Sequence, residues 1–286
     1  MVNTLYVGLG LSGLLFGPWI VYKALQRYRL LQTVDRLREG THDTVEAVSG
    51  RVAGSVADDA VDGALTDDNA VLTAWKLEEW SETGKLSTWD PRGVGVWSVP
   101  FTLEADGATY EVTVGSRQRT MPGVWERLTS PSALTTYLSV SEFPSNGHLV
   151  DGLGTVFESF GVVERTDAGE DPPAHVRAFL DRLSDVGEET GSITNVIDIG
   201  RAHGERRFTE RTVTPGDEVT VVGQVEQGQH HGHRRVTTPA DEDGVVLVSP
   251  LSMDGISAAT NAHVRVLGAI GGVMTAAGPV LLFVGI

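Results

Sequence analysis

The chain has no cysteine at any of its 286 positions. That excludes disulfides, thiol nucleophiles, CxxC redox centres, iron–sulfur ligation and every zinc site that depends on thiolates. Lysine is nearly missing too: Lys23, Lys76 and Lys85 are the whole complement, and arginine carries most of the positive charge. No GxSxG elbow, P-loop, dinucleotide fingerprint or HExxH pair occurs, so the short signatures of hydrolases, nucleotide binders and zinc proteases are lacking. The apolar run at the amino terminus has no basic leader before it and no small-residue cleavage site after it, which predicts a retained anchor rather than a cleaved signal.

Acid is what the chain has in excess. Asp and Glu number 38 against 22 Lys and Arg, a formal net charge of −16. Lys23, Arg27, Arg29, Arg36, Arg38 and Arg265 lie beside the two apolar ends, so the middle is more acidic than the whole. Such a field repels nucleic acid and anionic surfaces, and no nucleic-acid partner is expected. The composition, poor in Lys and rich in Asp, Glu, Gly, Val and Thr, resembles that of salt-accumulating halophilic archaea. At molar salt the Debye length is about 3 Å, and acidity there is a solvation device; plain solubility is the simpler account.

Residues 5–22 (LYVGLGLSGLLFGPWIVY) form an uncharged run long enough to cross a bilayer as a helix, closed by Trp19 and Tyr22. Residues 266–286 are a second uncharged run, rich in Gly and Val. Gly13/Gly17 and Gly268/Gly272 have the spacing that lets membrane helices approach closely, although Gly-rich segments produce it readily by chance. The expected layout is a transmembrane helix at 1–22, a juxtamembrane helix at 23–40, an acidic β-rich domain at 41–262 and a transmembrane helix at 263–286. The basic cluster just after the first run predicts a two-pass cell-membrane protein whose domain is cytoplasmic. The bilayer is then one partner, and a protein partner or self-association is expected beside it.

Short β-like runs separated by turn residues fill the middle. They are 48–56, 71–80, 97–103 with 110–114 as a hairpin across Asp106-Gly107, 219–225 after the Pro215-Gly216-Asp217 turn, and 245–248. Asp171-Pro172-Pro173 opens a helix expected to end before Gly187, and 123–160 reads as irregular with short strands. About eight strands and one central helix predict a mainly β domain with some α, an antiparallel β-barrel or sandwich between two transmembrane helices.

Several stretches occur in a fixed order: VSGRVAG at 48–54, AWKLEEW at 74–80, WSVPFTL at 97–103, ERRFTERTVTPGDEVTVVGQV at 205–225 and VLVSPLS at 246–252, directly before the second apolar run. Together they resemble the GIDE, or "beside a membrane", domain of the mitochondrial membrane-anchored ubiquitin ligases and their prokaryotic relatives. The resemblance implies structural positions at Trp75, Glu78, Trp97, Phe101, Pro215, Gly216, Asp217 and Pro250. In the eukaryotic ligases a RING domain follows, with eight Cys/His ligands for two zinc ions. With no cysteine here, the family's catalytic residues have no positions to land on. A transferase label would describe ancestry, and no catalytic residue, metal or cofactor is expected.

Three constellations could still carry chemistry. His230, His231 and His233, with Asp241, Glu242 and Asp243 nearby, have metal-ligand character, but flanking glycines read as a hairpin tip. Arg201, Arg206, Arg207, Arg211, Arg234 and Arg235 could gather as a cationic patch; pairing with neighbouring carboxylates is the expected outcome. Glu78 and Glu79 lie beside Trp75 and Trp80, yet adjacent strand residues face opposite ways and cannot share one site. The functional expectation is a membrane-anchored, non-catalytic interaction or sensing domain. The alternatives are a component of ubiquitin-like protein modification that recruits substrate to a partner enzyme, and a metal or ligand sensor using the histidine loop.

Overall fold

The computed structural model describes residues 4–38, 45–56, 59–62, 64–66, 69–83, 86–121, 141–143, 147–183, 203–227, 233–239 and 245–285. Helix α1 (Thr4–Arg38) comes first, then strands β1 (Val45–Ser55), β2 (Leu72–Thr83), β3 (Leu86–Ser98), β4 (Phe101–Ala105), β5 (Ala108–Thr113) and β6 (Arg117–Thr120). The short strands β7 (Ser141–Phe143), β8 (Gly147–Val150), β9 (Leu153–Val156) and β10 (Gly161–Thr166) lead to helix α2 (Ala174–Asp181). Strands β11 (Arg206–Val213), β12 (Glu218–Gln227), β13 (His233–Thr237) and β14 (Val246–Ser249) precede the final helix α3 (Met253–Gly285). Two compact units result: Thr44–Ser252, and Met1–Asp43 together with Met253–Ile286.

Within the β unit, five strands close on themselves. β1 pairs with β4, β4 with β5, β5 with β13, β13 with β12, and β12 returns to β1. Counting only these strands along the chain, the ring runs first, second, third, fifth, fourth, and its third and fifth members are parallel. That is the strand order of an OB-type Greek-key barrel. Alternation drives the closure: Val48 and Val52 of β1, Phe101 and Leu103 of β4, Tyr110 and Val112 of β5, Val219 and Val221 of β12 and Val236 of β13 are buried in one apolar cluster. Closing the ring removes exposed edges that would invite pairing with other chains.

The second sheet has the order β10-β11-β2-β3-β6 and is antiparallel throughout. Its Leu72, Ala74, Val96 and Val213 join the barrel cluster, whereas Trp75, Leu77, Trp97 and Phe208 pack with Val176 and Phe179 of α2. With both faces covered, β2 is buried almost continuously instead of alternating.

The mainly β architecture and the two terminal apolar helices agree with the sequence, and particular elements differ. Parallel pairings β5–β13 and β9–β14 stand among the antiparallel ones: β12 runs antiparallel to β1, and the reversal from β12 to β13 turns β13 into the direction of β5. The run 97–103 is broken: Trp97 belongs to β3, and the hairpin is β4–β5, where Asp106 and Gly107 both have positive φ as a tight two-residue turn requires. α2 ends at Asp181, after which Arg182 turns its guanidinium over the Trp97 ring at 4.3 Å and Leu183 enters the core; residues 184–187 lie outside the described set.

In the helical unit, α1 runs unbroken from the apolar segment through the juxtamembrane stretch, past Pro18. α3 starts at Met253, ten residues before the expected boundary, with Asp254 in its first turn, where a carboxylate favours the positive end of the helix. Hydropathy marks only the apolar part, and the helix extends beyond it. The two helices pack antiparallel: a Cβ at Gly10 would meet Leu282, at Gly13 Met274 and Gly278, at Gly17 Thr275, and at Gly271 Ile20 and Val21. Gly13 and Gly17 therefore do sit at a close helix contact. Gly268 and Gly272 do not, since a Cβ there meets nothing; Gly271, Thr275 and Gly278 supply the facing surface instead.

Candidate functional site

Sheet register builds a buried polar layer along β2 and β11. Glu78 lies opposite Arg207 and Glu79 opposite Arg206, just past an irregularity in the β2–β3 pairing at Leu77/Glu78. Both carboxylates are buried. Arg207 Nε donates to Glu78 at 2.5 Å, Lys76 Nζ lies 2.8 Å from the same carboxylate, and Arg206 Nε donates to Glu79 at 3.2 Å. Burial acts to raise the Glu78 carboxyl, but the Arg207 hydrogen bond and Lys76 together hold it below the usual carboxylate range. The Arg207 guanidinium also lies 4.3 Å from the centre of the Trp89 ring, which meets Trp80 edge-on at 5.3 Å. The two adjacent carboxylates thus serve different arginines and do not converge on one point.

Glu210, one strand position beyond Thr209, is a buried carboxylate with a different set of partners. It accepts hydrogen bonds from the Leu65 and Thr66 backbone N–H groups and from the Thr66 and Thr73 hydroxyls, between 2.6 and 3.0 Å. An internal acid thereby clasps the connection between β1 and β2 to the sheet.

His148 of β8 is fully buried, and neither ring nitrogen has a hydrogen-bond partner. Desolvation first, and then the charge of Lys76, lower its pKa from 6.5 to about 3. The ring lies 4.7 Å from that of Phe160, and opposite it on β9 the Thr155 hydroxyl is likewise buried without a partner. Neutral imidazole is the form this environment accepts.

The positions implied by the family resemblance fall in several places. Trp75 and Trp97 meet each other at 5.1 Å and both contact Phe179, forming the aromatic centre under α2. Phe101 fills the barrel. Pro215 and Gly216 form a tight turn with φ +98 at Gly216; Asp217 closes it through its backbone N–H to Thr214 and accepts from the Thr214 N–H and hydroxyl. The turn is stitched to β1, with Gly216 N–H donating to Val52 and Val52 N–H donating to Asp217. Pro250 lines an open cleft of about 280 Å³ with Phe157, Ser159, Arg211 and Leu251. These residues hold the fold at separate points.

His230 and His231 lie outside the described residues, as do Asp241, Glu242 and Asp243; His233 opens β13 opposite Thr109. Among the described residues no group of three or more His, Asp or Glu is placed to hold a metal. The arginines do not gather: Arg206, Arg207 and Arg235 meet the carboxylates of Glu79, Glu78 and Glu111, Arg234 donates to the Tyr110 hydroxyl, Arg211 donates to Ser159, and Arg201 is outside the described set. Glu210 and His148 escaped sequence reading, because a lone polar residue inside a strand carries no mark of its burial.

Two open clefts flank the β1–β2 connection. One of about 540 Å³ is lined by small and polar residues including Gly54, Ser55, Asp59, Asn69 and Thr214; one of about 320 Å³ lies beside Trp97, Asp62 and Arg182. Compared with known proteins, the chain matches no family model, no curated protein and no solved structure.

Proposed function

We propose that the protein is a two-pass membrane-tethered interaction or sensing domain that performs no chemistry of its own, with its β unit in the cytoplasm. The observation that carries the reading is the pairing of the two apolar helices. The contacts of Gly10 with Leu282, Gly17 with Thr275 and Val21 with Gly271 bring the charge-free run 5–22 alongside the charge-free run that begins after Arg265. Both runs are long and apolar enough to cross a membrane, and large apolar side chains such as Leu9, Phe16, Val273 and Phe283 project outward from them. A surface of that kind is stable against lipid and unfavourable against water. In the β unit, the buried carboxylates Glu78, Glu79 and Glu210 are engaged by arginine, lysine, backbone N–H and hydroxyl groups, so these acids hold the fold. Orientation rests on the basic residues that follow the first run.

A second reading, recruitment of substrate to a ubiquitin-like modification enzyme, draws on the resemblance to the GIDE domain and on a barrel-bearing unit followed directly by a long apolar helix. Affinity purification of the full chain in mild detergent and high salt, followed by mass spectrometry, separates the two. Membrane proteins alone among the partners favour the platform, whereas modification enzymes or proteasome subunits favour recruitment. Retention of stoichiometric zinc by untagged protein would instead support a sensor built on His230, His231 and His233.

A further inference from the structure

The antiparallel register of the two helices sets residues on α1 level with residues on α3. Gly10 faces Leu282, Gly13 faces Gly278, Gly17 faces Thr275 and Val21 faces Gly271. Continued by the same count, Lys23 stands level with the Gly268 turn, Arg27 and Arg265 stand level with each other, and Arg29 follows within one turn. Four cationic positions from two chain ends thus share one band of the hairpin, about 9 Å tall at 1.5 Å per residue. It begins where the uncharged runs stop. Tyr22 and Tyr28 are exposed at the same level, 46% and 44%, and Arg265 is exposed as well.

The band is also unbalanced. No Asp or Glu precedes Asp35 on α1, and none follows Asp254 on α3. Glu–Arg pairing of the kind seen between β2 and β11 has no partner on these two helices at this level. The headgroup layer on each side of a bilayer is about 5–8 Å deep, which matches the height of the band, and tyrosines favour that depth. Long-range attraction to an anionic surface is opposed by the acidity of the rest of the chain, so only direct pairing at the interface remains to be gained.

We propose that Lys23, Arg27, Arg29 and Arg265 form a binding band for the headgroup phosphates of anionic phospholipids, making the protein selective for the lipid around its anchor. The full chain, purified in mild detergent and incubated with equal amounts of phosphatidylglycerol and phosphatidylcholine, is read by native mass spectrometry for lipid retained per chain. Wild type is expected to retain phosphatidylglycerol at least tenfold over phosphatidylcholine. R27K/R29K is expected to keep that preference, R27Q/R29Q/R265Q to lose it about tenfold or more, and R36Q/R38Q, farther along α1, to keep it. If the triple variant does not accumulate, the single R265Q is expected to lower retention by several-fold. Equal retention of both lipids by wild type, or an unchanged preference in the glutamine variants, would overturn the proposal. Displacement of phosphatidylglycerol by millimolar inorganic phosphate would also overturn it, identifying the ligand as a soluble anion.

Discussion

At the scale of single residues, two positions show how the tertiary environment sets chemistry. His148 is neutral when folded, with a pKa of about 3 against 6.5 for the free side chain. The unfolded chain therefore binds the extra proton between those values, and the folded state loses stability as pH falls through that window. The slope for one proton is about 1.4 kcal/mol per pH unit. Melting curves of the detergent-solubilised chain between pH 7 and pH 4.5 are expected to flatten in H148L relative to wild type; parallel curves would contradict the buried neutral histidine. At Gly95 the constraint is steric. A Cβ there would lie 2.5 to 2.7 Å from the indole of Trp75, which is fully buried, so G95A is expected to destabilise the β unit by about 1–3 kcal/mol. Most of that loss should disappear when Trp75 is also shortened to leucine, a non-additivity that a double-mutant cycle measures.

At the scale of elements, a few hydrogen bonds hold the β1–β2 connection, and small residues set the register of the helix pair. Glu210 gathers backbone and hydroxyl donors from Leu65, Thr66 and Thr73. E210Q replaces one accepting oxygen by a donor facing other donors, at an expected loss of about 2 kcal/mol, and limited proteolysis is expected to cut the connection at 59–70 sooner than in wild type. For the helices, the absence of native cysteine makes crosslinking unambiguous. V21C/G271C is expected to form an intramolecular disulfide in membranes, whereas V21C/G272C is expected to crosslink poorly, since Gly272 faces away from α1. Equal yields from the two pairs would reject the register on which the lipid band depends.

At the scale of the whole molecule, the chain carries two helices long and apolar enough to cross a membrane, so on the proposed two-pass reading removing one anchor leaves the other. Carbonate extraction of membranes is expected to leave both the full chain and a variant lacking residues 1–22 in the pellet, and release of that variant would show that α3 does not span. The proposed orientation rests on the basic residues after the first run, Lys23, Arg27, Arg29, Arg36 and Arg38, which the opposite topology would carry across the bilayer. Protease added to intact cells is therefore expected to spare residues 44–252. Cleavage there would rule out cytoplasmic partners, the modification machinery included.

Features set by local pattern were legible in the sequence. The two apolar helices follow from length and apolarity, the β4–β5 hairpin from alternation around Asp106-Gly107, the turn at 214–217 from Pro-Gly-Asp chemistry, and the exclusion of thiol and zinc–thiolate chemistry from the lack of cysteine. Tertiary structure decided what depends on partners distant in the chain. Closure of the barrel needs β12 to reach β1 across more than 150 residues. The double-faced burial of β2 arises because the barrel covers one side and α2 the other. The roles of Glu78, Glu210 and His148 differ because one met arginine and lysine, one met N–H and hydroxyl donors, and one met no hydrogen-bond partner. Period and turn chemistry act over a few residues, so a sequence displays them directly. Burial and pairing are made by the fold, and a carboxylate or an imidazole acquires its function from the neighbour that the fold brings to it.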